Sequence, residues 1–202
     1  DGIVIQEAAT RALRNGMSLH ILFEQLRDIR SDVRIPLILM GYLNPIMKFG
    51  FEAFCQKCVE CGIDGVIIPD LPFKDYEETY KPIADRYDTR VIMLITPETS
   101  EARVREIDEH TDGFIYMVSS AATTGAQKDF DSQKQAYFKK IQDMHLRNPR
   151  MVGFGISNKQ TFDAACANSS GAIIGSRFVT LLNEAEGDAE KAITQLKEGL
   201  KK

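Results

Sequence analysis

Two short glycine motifs close successive apolar runs in the last third of this chain: Met151-Val152-Gly153-Phe154-Gly155-Ile156-Ser157 and Ala172-Ile173-Ile174-Gly175-Ser176-Arg177. Each run has the composition of a buried parallel strand, and each is followed at once by the start of a predicted helix. We expect Ser157 and Ser176 to cap these two helices. Because a helix start presents free backbone N–H groups, the two junctions predict a phosphate-binding site.

An apolar run followed by an amphipathic segment repeats along the rest of the 202-residue chain. The runs are continuously apolar, which is typical of a parallel sheet covered on both faces. The predicted strands are 35–42, 65–70, 90–96, 113–119, 151–155 and 172–176. The predicted helices are 4–15, 18–30, 51–61, 75–87, 100–110, 132–147, 159–167 and 184–200, with a short helix after Ser176. No linker interrupts them, so residues 1–202 are predicted to form a single domain.

The position of the glycine motifs selects the fold class. In an open doubly wound sheet the phosphate-binding glycines follow the first strand, whereas here they follow the last two. In (β/α)8 barrels the phosphate lies at the loops after the seventh and eighth strands. Six strands do not close such a barrel, and the chain begins at Asp1, directly before a predicted helix. The sequence therefore predicts an α/β fold of the (β/α)8 TIM-barrel type, with the first two β/α units absent from this chain.

Composition and charge narrow the classes of function. The chain has 44% hydrophobic residues and a net charge of -4, with Lys and Arg interspersed among Asp and Glu. This pattern lacks the basic face that nucleic acids require, and no apolar run reaches the roughly 18 residues of a membrane helix. We therefore expect a small-molecule or protein partner, with no nucleic acid and no membrane. Four cysteines without a disulfide-like spacing favour a reducing, cytoplasmic location.

Three of the cysteines have a spacing that also occurs in metal sites. Cys55, Cys58 and Cys61 fall on one broad face of the predicted helix 51–61, and no second pair of ligands follows them. We interpret them as part of a buried helix face and expect no metal.

Five segments together carry a resemblance to a known family. In chain order they are Asp1-Gly2-Ile3-Val4-Ile5-Gln6, Leu39-Met40-Gly41-Tyr42-Leu43-Asn44-Pro45-Ile46, Gly65-Val66-Ile67-Ile68-Pro69-Asp70-Leu71-Pro72, Thr123-Thr124-Gly125 and Gly153-Phe154-Gly155-Ile156-Ser157. In this order and at this spacing they resemble the tryptophan synthase alpha subunit, over essentially the whole chain. The resemblance implies a barrel lyase that cleaves indole-3-glycerol phosphate to indole and glyceraldehyde 3-phosphate. It further implies a beta-subunit partner in an alpha2-beta2 complex, with no cofactor in this chain and pyridoxal phosphate (PLP) in the partner.

The resemblance also implies three catalytic residues. Asp1 matches the family aspartate beside the indole N–H, which stabilises the positive charge that develops on the ring; from the residues alone, Asp1 is equally a helix cap. Tyr116 matches a tyrosine that reaches into the substrate pocket. Thr124 matches a threonine of a mobile loop, although Ala122-Thr123 replaces the usual Gly-Val before it. The family's second carboxylate, a glutamate that acts as general acid and base, would precede Asp1, so we expect this chain alone to lack its main proton-transfer group.

Three further sets of residues follow from the same resemblance. Backbone N–H groups are expected to bind the substrate phosphate near Gly125, Gly155, Gly175 and Ser176. Apolar side chains that would otherwise be ordinary core match the family's indole pocket, namely Ile5, Leu39, Ile67 and Phe154. The loops that match the beta-subunit interface contain Asn44, Pro45 and Pro72.

Two rival functions stay open at this point. One is another phosphate-binding barrel enzyme of aromatic amino-acid biosynthesis. Such sites usually carry a Lys or a Cys at a strand end, whereas the strand ends here offer Asp70, Thr96 and Ser119. The other is a non-catalytic truncated barrel that only binds a partner.

Overall fold

The computed structural model describes residues 2–119, 127–153 and 155–201, with side chains described from residue 133 onward in the helix that begins at Gln127. Four predicted site residues, Asp1, Thr124, Gly125 and Phe154, lie outside the described residues. The chain divides into two compact units. We call Gly16–Leu94 with Ser100–Ile115 the middle unit, and Asp1–Asn15 with Ile95–Thr99 and Tyr116–Lys202 the terminal unit.

Helices and short strands alternate along the chain, as the sequence predicts for an α/β fold. The helices are α1 (Ile3–Arg14), α2 (Leu19–Gln25), α3 (Leu43–Phe49), α4 (Phe51–Glu60), α5 (Phe73–Asp75), α6 (Lys81–Arg86), α7 (Glu101–His110), α8 (Gln127–Asp143), α9 (Lys159–Cys166), α10 (Ser176–Glu184) and α11 (Ala189–Gly199). The strands are β1 (Ile38–Met40), β2 (Gly65–Ile67), β3 (Arg90–Ile92), β4 (Leu94–Ile95), β5 (Ile115–Val118), β6 (Arg150–Gly153) and β7 (Gly171–Ala172). Within the described residues, no helix combines the length and the apolar character that crossing a bilayer requires.

The predicted elements are confirmed in kind, and several differ in their bounds. Each predicted strand overlaps an observed strand, and the predicted strand 90–96 is divided into β3 and β4. β6 and β7 each begin one residue before the predicted bound, and β7 shares only Ala172 with the predicted strand 172–176. The sequence did not predict α3, which begins directly after the turn that follows β1. Its Pro45 lies in the first turn, where a missing backbone N–H removes no helical hydrogen bond. The predicted helix 184–200 begins only at Ala189, because Gly187, at φ +91°, separates α10 from α11.

The middle unit is built on a three-stranded parallel sheet in the order β1-β2-β3. Val66 of β2 pairs with Leu39 of β1 and with Val91 of β3. Val66 and Val91 are almost completely buried, whereas β1 is the more exposed strand. Burial of β2 on both faces explains its continuously apolar sequence.

The cysteine face of α4 also belongs to this unit. Cys55, Cys58 and Cys61 are all buried, as predicted. Burial raises the pKa of Cys55 to about 11 and that of Cys58 to about 12, so both remain neutral thiols at neutral pH. No group of three or more His, Cys, Asp or Glu side chains is arranged to hold a metal ion in the part of the chain that the structure describes. These thiols therefore act as small apolar side chains of the core.

The terminal unit contains a four-stranded sheet in the order β4-β5-β6-β7. β6 and β7 are parallel, with Val152 paired with Ala172. Leu181 and Ala185 of the α10 segment pack with Ala192 of α11 in a separate apolar cluster. This cluster packs α10, the helix that follows the second glycine motif, against α11.

Candidate functional site

The two glycine motifs lie at corresponding positions past the ends of neighbouring strands. Gly155 lies three residues beyond Val152, and Gly175 lies three residues beyond Ala172, which is the partner of Val152 across the two strands. The Ile173 N–H donates to the Val152 carbonyl at 2.7 Å, so the pairing continues past the strand ends. Since parallel neighbours are about 5 Å apart, the two turns begin side by side. Both glycines are exposed.

Gly155 has a backbone conformation that favours glycine. Its φ is +74°, in the left-handed region, where a side chain would strain the chain. Gly175, at φ −108°, has no such restriction, and a Cβ added there meets none of the atoms that the structure describes within 4 Å. Gly155 is therefore required by the turn itself, whereas at Gly175 the space beside the backbone is open to a ligand.

The caps of the two following helices differ from the prediction. Asn158, and not Ser157, caps α9, because its side chain accepts from the Thr161 N–H at 2.9 Å. The Thr161 hydroxyl in turn accepts from the Ser157 N–H at 3.0 Å. The prediction of a Ser157 cap was wrong because the helix begins one residue later, at a sequence that forms a capping box.

α10 has no comparable cap. Its N-cap is Gly175, which offers no side chain, and Ser176 is the first helical residue, so the prediction of a Ser176 cap was also wrong. The first N–H groups of a helix have no partner within the helix, and they carry the positive end of the helix dipole. The start of α9 is capped by side chains, whereas the N-cap of α10 makes no side-chain hydrogen bond. The first N–H groups of α10 are therefore the better suited to bind a ligand.

Tyr116 crosses the strand that carries the first motif. A methyl group at Gly153 would coincide with the Tyr116 ring and hydroxyl, so the phenol lies directly over the backbone of β6. The Ser119 N–H donates to the Gly153 carbonyl at 3.1 Å, which ties the end of β5 to the same residue. Tyr116 is 4% exposed, and burial raises its pKa to about 12. The phenol therefore stays protonated at neutral pH.

The N-terminal helix of the terminal unit adjoins α10. A Cβ on Gly2 would lie 3.9 Å from Ser176 Oγ, and the Arg11 guanidinium donates to Asn183 Oδ1 at 3.1 Å. Gly2 is the N-cap of α1, without a side-chain capping bond. The alternative that Asp1 caps this helix concerns a residue outside the described ones and stays a prediction.

The structure separates two residues predicted for the indole pocket. Leu39 pairs with Val66, and Ile67 pairs with Met40. Because successive side chains of a strand point to opposite faces, Ile67 shares a face with Met40 and not with Leu39. Ile5 is half-buried in the first two turns of α1. The shared face of Met40 and Ile67 could not be predicted, since a single sequence does not reveal the register between strands.

The predicted interface residues lie exposed at the starts of two helices of the middle unit. Asn44 and Pro45 are exposed in the first turn of α3, and Pro72 is exposed at the N-cap of α5. Asp70 Oδ1 accepts from the Leu43 N–H at 2.8 Å, so the loop after β2 supports the start of α3. The three residues are therefore presented together by the ends of two neighbouring strands.

Comparisons with known proteins agree on one family. The family model of the tryptophan synthase alpha chain matches residues 1–202. The tryptophan synthase alpha chain of Bacteroides fragilis is 80% identical over 197 residues, which are 98% of this chain and 74% of that protein. That of Bacteroides thetaiotaomicron is 78% identical over 201 residues, 100% of this chain and 78% of the relative. The chain thus spans about three quarters of the length of these relatives.

Two solved structures extend the comparison to the fold. The tryptophan synthase alpha chain from Legionella pneumophila has a TM-score of 0.86 at 30% identity, over 99% of this chain and 74% of that chain. A tryptophan synthase complex from Pyrococcus furiosus contains a chain with a TM-score of 0.85 at 28% identity, over 99% of this chain and 80% of that one.

Proposed function

This chain belongs to the tryptophan synthase alpha chain family, and from that premise we propose how its residues share the family's reaction, the cleavage of indole-3-glycerol phosphate to indole and glyceraldehyde 3-phosphate in tryptophan biosynthesis. The observation that carries the proposal is the pair of turns at Gly155 and Gly175, beside the uncapped start of α10. They suit a phosphate dianion that is held by backbone N–H groups.

The chemistry divides the reaction among several groups. Cleavage of the bond at indole C3 requires a proton at C3, stabilisation of the positive charge on the indole nitrogen, and removal of the proton from the hydroxyl that becomes the aldehyde. We assign charge stabilisation to the Asp1 carboxylate. Tyr116 contributes a neutral hydrogen-bonding phenol, which its raised pKa supports. Thr124 and Gly125 keep the roles that the family match gives them, in closing the site and in binding phosphate.

The two proton transfers need a further group. The family's proton-transfer glutamate has no match within residues 1–202, so we assign these steps to a group outside this sequence and expect the 202 residues alone to turn over poorly. In the same way, we count β3 and β4 as two parts of one barrel strand, and we interpret the resulting six strands of the described residues as part of a (β/α)8 barrel whose first two β/α units are not among these residues. PLP chemistry belongs to the proposed beta-subunit partner.

The phosphate site is tested by the variant Gly175→Val. A Cβ at this position meets no atom of the described residues within 4 Å, so we expect the variant to fold and its side chain to obstruct the ligand. We expect the Kd for glyceraldehyde 3-phosphate to rise about tenfold or more, because the backbone N–H groups no longer reach the phosphate. Isothermal titration of the full-length protein measures this change.

Gly199→Val is the matched control. Gly199 ends α11 and is likewise free of protein atoms within 4 Å of an added Cβ. The control variant should bind the phosphate ligand as the parent does. Equal affinity of the parent and Gly175→Val would remove Gly175 from the site, together with the observation on which the proposed function rests.

We also propose that a beta subunit docks on the exposed turns at Asn44, Pro45 and Pro72. The support is their exposure, the Asp70 to Leu43 hydrogen bond that fixes the start of α3, and the family match. Rigid prolines set the shape of such loops without providing chemistry. Docking would raise activity by shifting the site toward its closed state.

The variant Asn44→Ala tests this surface. We expect it to weaken activation by the beta subunit by about fivefold, because one exposed polar contact is lost. The basal rate of indole formation should stay close to the parent value. Steady-state assays with and without the beta subunit measure both quantities. Glu52→Ala, at the start of α4 and exposed, is the control. An equal loss in both assays would place Asn44 in the internal structure of the unit and refute the interface.

A further inference from the structure

We propose that Lys134 supplies a positive charge to the substrate phosphate, an electrostatic contact in addition to the backbone N–H groups. The inference rests on the proposed phosphate site and names a side chain that acts there. A Cβ placed on Gly155 would lie 3.8 Å from Lys134 Nζ and 4.0 Å from Ser119 Oγ. The ammonium and the hydroxyl therefore both lie at the left-handed turn that follows β6.

The position of Lys134 on its helix is unusual for a lysine. Tyr137, Phe138 and Ile141 of α8 are all buried, and Lys134 precedes them by three, four and seven residues. These spacings place all four residues on one face of the helix, the face directed at the core. Lysine is rarely found at such a position, unless its aliphatic stem is covered while its ammonium reaches a polar site. Here the ammonium reaches the turn at Gly155.

The neighbouring residue keeps this face in place. Gln135 Nε2 donates to the Ala164 carbonyl at 3.3 Å, and Asn168 Nδ2 donates to Gln135 Oε1 at 3.3 Å. These bonds join α8 to the α9 region, so the helix that carries Lys134 is fixed beside the strand end. Lys134 is half-buried, and a charge in that environment is screened less by water than one on the open surface.

The register of β6 against β7 places the Lys134 ammonium near the proposed phosphate position. Gly155 and Gly175 are both three residues past the paired Val152 and Ala172, on neighbouring strands. A phosphate at the start of α10 would thus lie next to the turn at which Lys134 Nζ is located. Lys134 and Ser119 each make other interactions in the protein, and the phosphate would extend or replace them. A phosphate dianion at this place gains a charge-assisted contact from the ammonium.

The variants Lys134→Met and Lys134→Arg test the proposal in the full-length protein. Methionine keeps an apolar stem without the charge, and we expect it to raise the Kd for inorganic phosphate by about fivefold to tenfold. Arginine keeps the charge and should restore most of the affinity. Binding of indole, which has no phosphate, should not change in either variant. The affinity of the parent should also fall more steeply with added salt than that of Lys134→Met.

Lys139→Met is the matched control on the same helix. Lys139 Nζ pairs with Asp143 at 2.9 Å on the exposed side of α8, and its removal should leave phosphate binding unchanged. Phosphate affinity of Lys134→Met equal to that of the parent would overturn the proposal, as would equal weakening of phosphate and indole binding, which indicates a structural role. The Gly175→Val result distinguishes a failure of the phosphate site from a failure of the Lys134 proposal. If Gly175→Val weakens phosphate binding and Lys134→Met does not, the phosphate site is supported and the role of Lys134 is refuted.

Discussion

Asp1→Asn is expected to lower the kcat of the full-length protein by about 10² or more, the scale of a lost electrostatic stabiliser. Asparagine keeps the shape of the side chain but removes the negative charge to which we assign the stabilisation of the cationic indole intermediate. The KM for indole-3-glycerol phosphate should change less, because the charge develops only as the bond breaks. Steady-state kinetics of indole release, with and without the beta subunit, measure both constants.

Glu7→Gln is the control for this prediction. Glu7 is an exposed carboxylate on α1, the helix that begins two residues after Asp1. Its replacement should leave kcat within about twofold of the parent, as expected for an exposed surface charge. A kcat of Asp1→Asn within a few-fold of the parent would leave Asp1 without a catalytic role. The alternative that the sequence offers, a role in capping α1, would then be the one that remains.

Periodicity and glycine placement were sufficient to predict the type and order of most elements. Parallel strands that are buried on both faces, such as β2, have continuous apolar sequences, and this signal is local. The two glycine motifs directed attention to the ends of β6 and β7, where the structure has two turns in register. The chemical reason is also local, because a left-handed turn such as that at Gly155 favours a specific residue type.

The features that were missed depend on contacts between distant residues. The shared face of Met40 and Ile67 follows from the register of β1 against β2, which no single segment encodes. α3 was missed because a proline directly after a strand resembles a loop, although the first turn of a helix accepts it. The cap of α9 was misplaced by one residue, since Ser157 and Asn158 are both good caps and only the Thr161 side chain distinguishes them.

The sequence around Lys134 contains a local signal for a functional lysine that the sequence analysis did not use. Its spacing of three, four and seven residues from Tyr137, Phe138 and Ile141 places a charge on an apolar helix face. That conflict between composition and pattern is typical of a functional position. What the sequence could not provide is the identity of the polar site that the ammonium reaches, which depends on how α8 packs near Gly155.

Gly153→Ala is expected to lower kcat/KM for indole-3-glycerol phosphate by about 10², because a catalytic group moved by about 1 Å can cost that much. The added methyl group would coincide with the ring and hydroxyl of Tyr116, both of which are buried. Since Gly153 closes β6 and its carbonyl accepts from Ser119, the backbone cannot retreat without breaking that bond. The phenol must therefore move. Overpacking of this kind should also lower the free energy of unfolding by about 1 to 3 kcal/mol.

A double-mutant cycle with Tyr116→Leu tests whether this clash is the cause. Leucine lacks the ring carbons and the hydroxyl that an alanine at Gly153 would meet, so Gly153→Ala should cost little further activity or stability in that background. Gly199→Ala, where an added Cβ meets nothing within 4 Å, controls for the loss of a glycine as such. Additive losses in the cycle would show that Gly153 and Tyr116 act independently. The close approach of the phenol to β6 would then have no part in positioning it for the substrate.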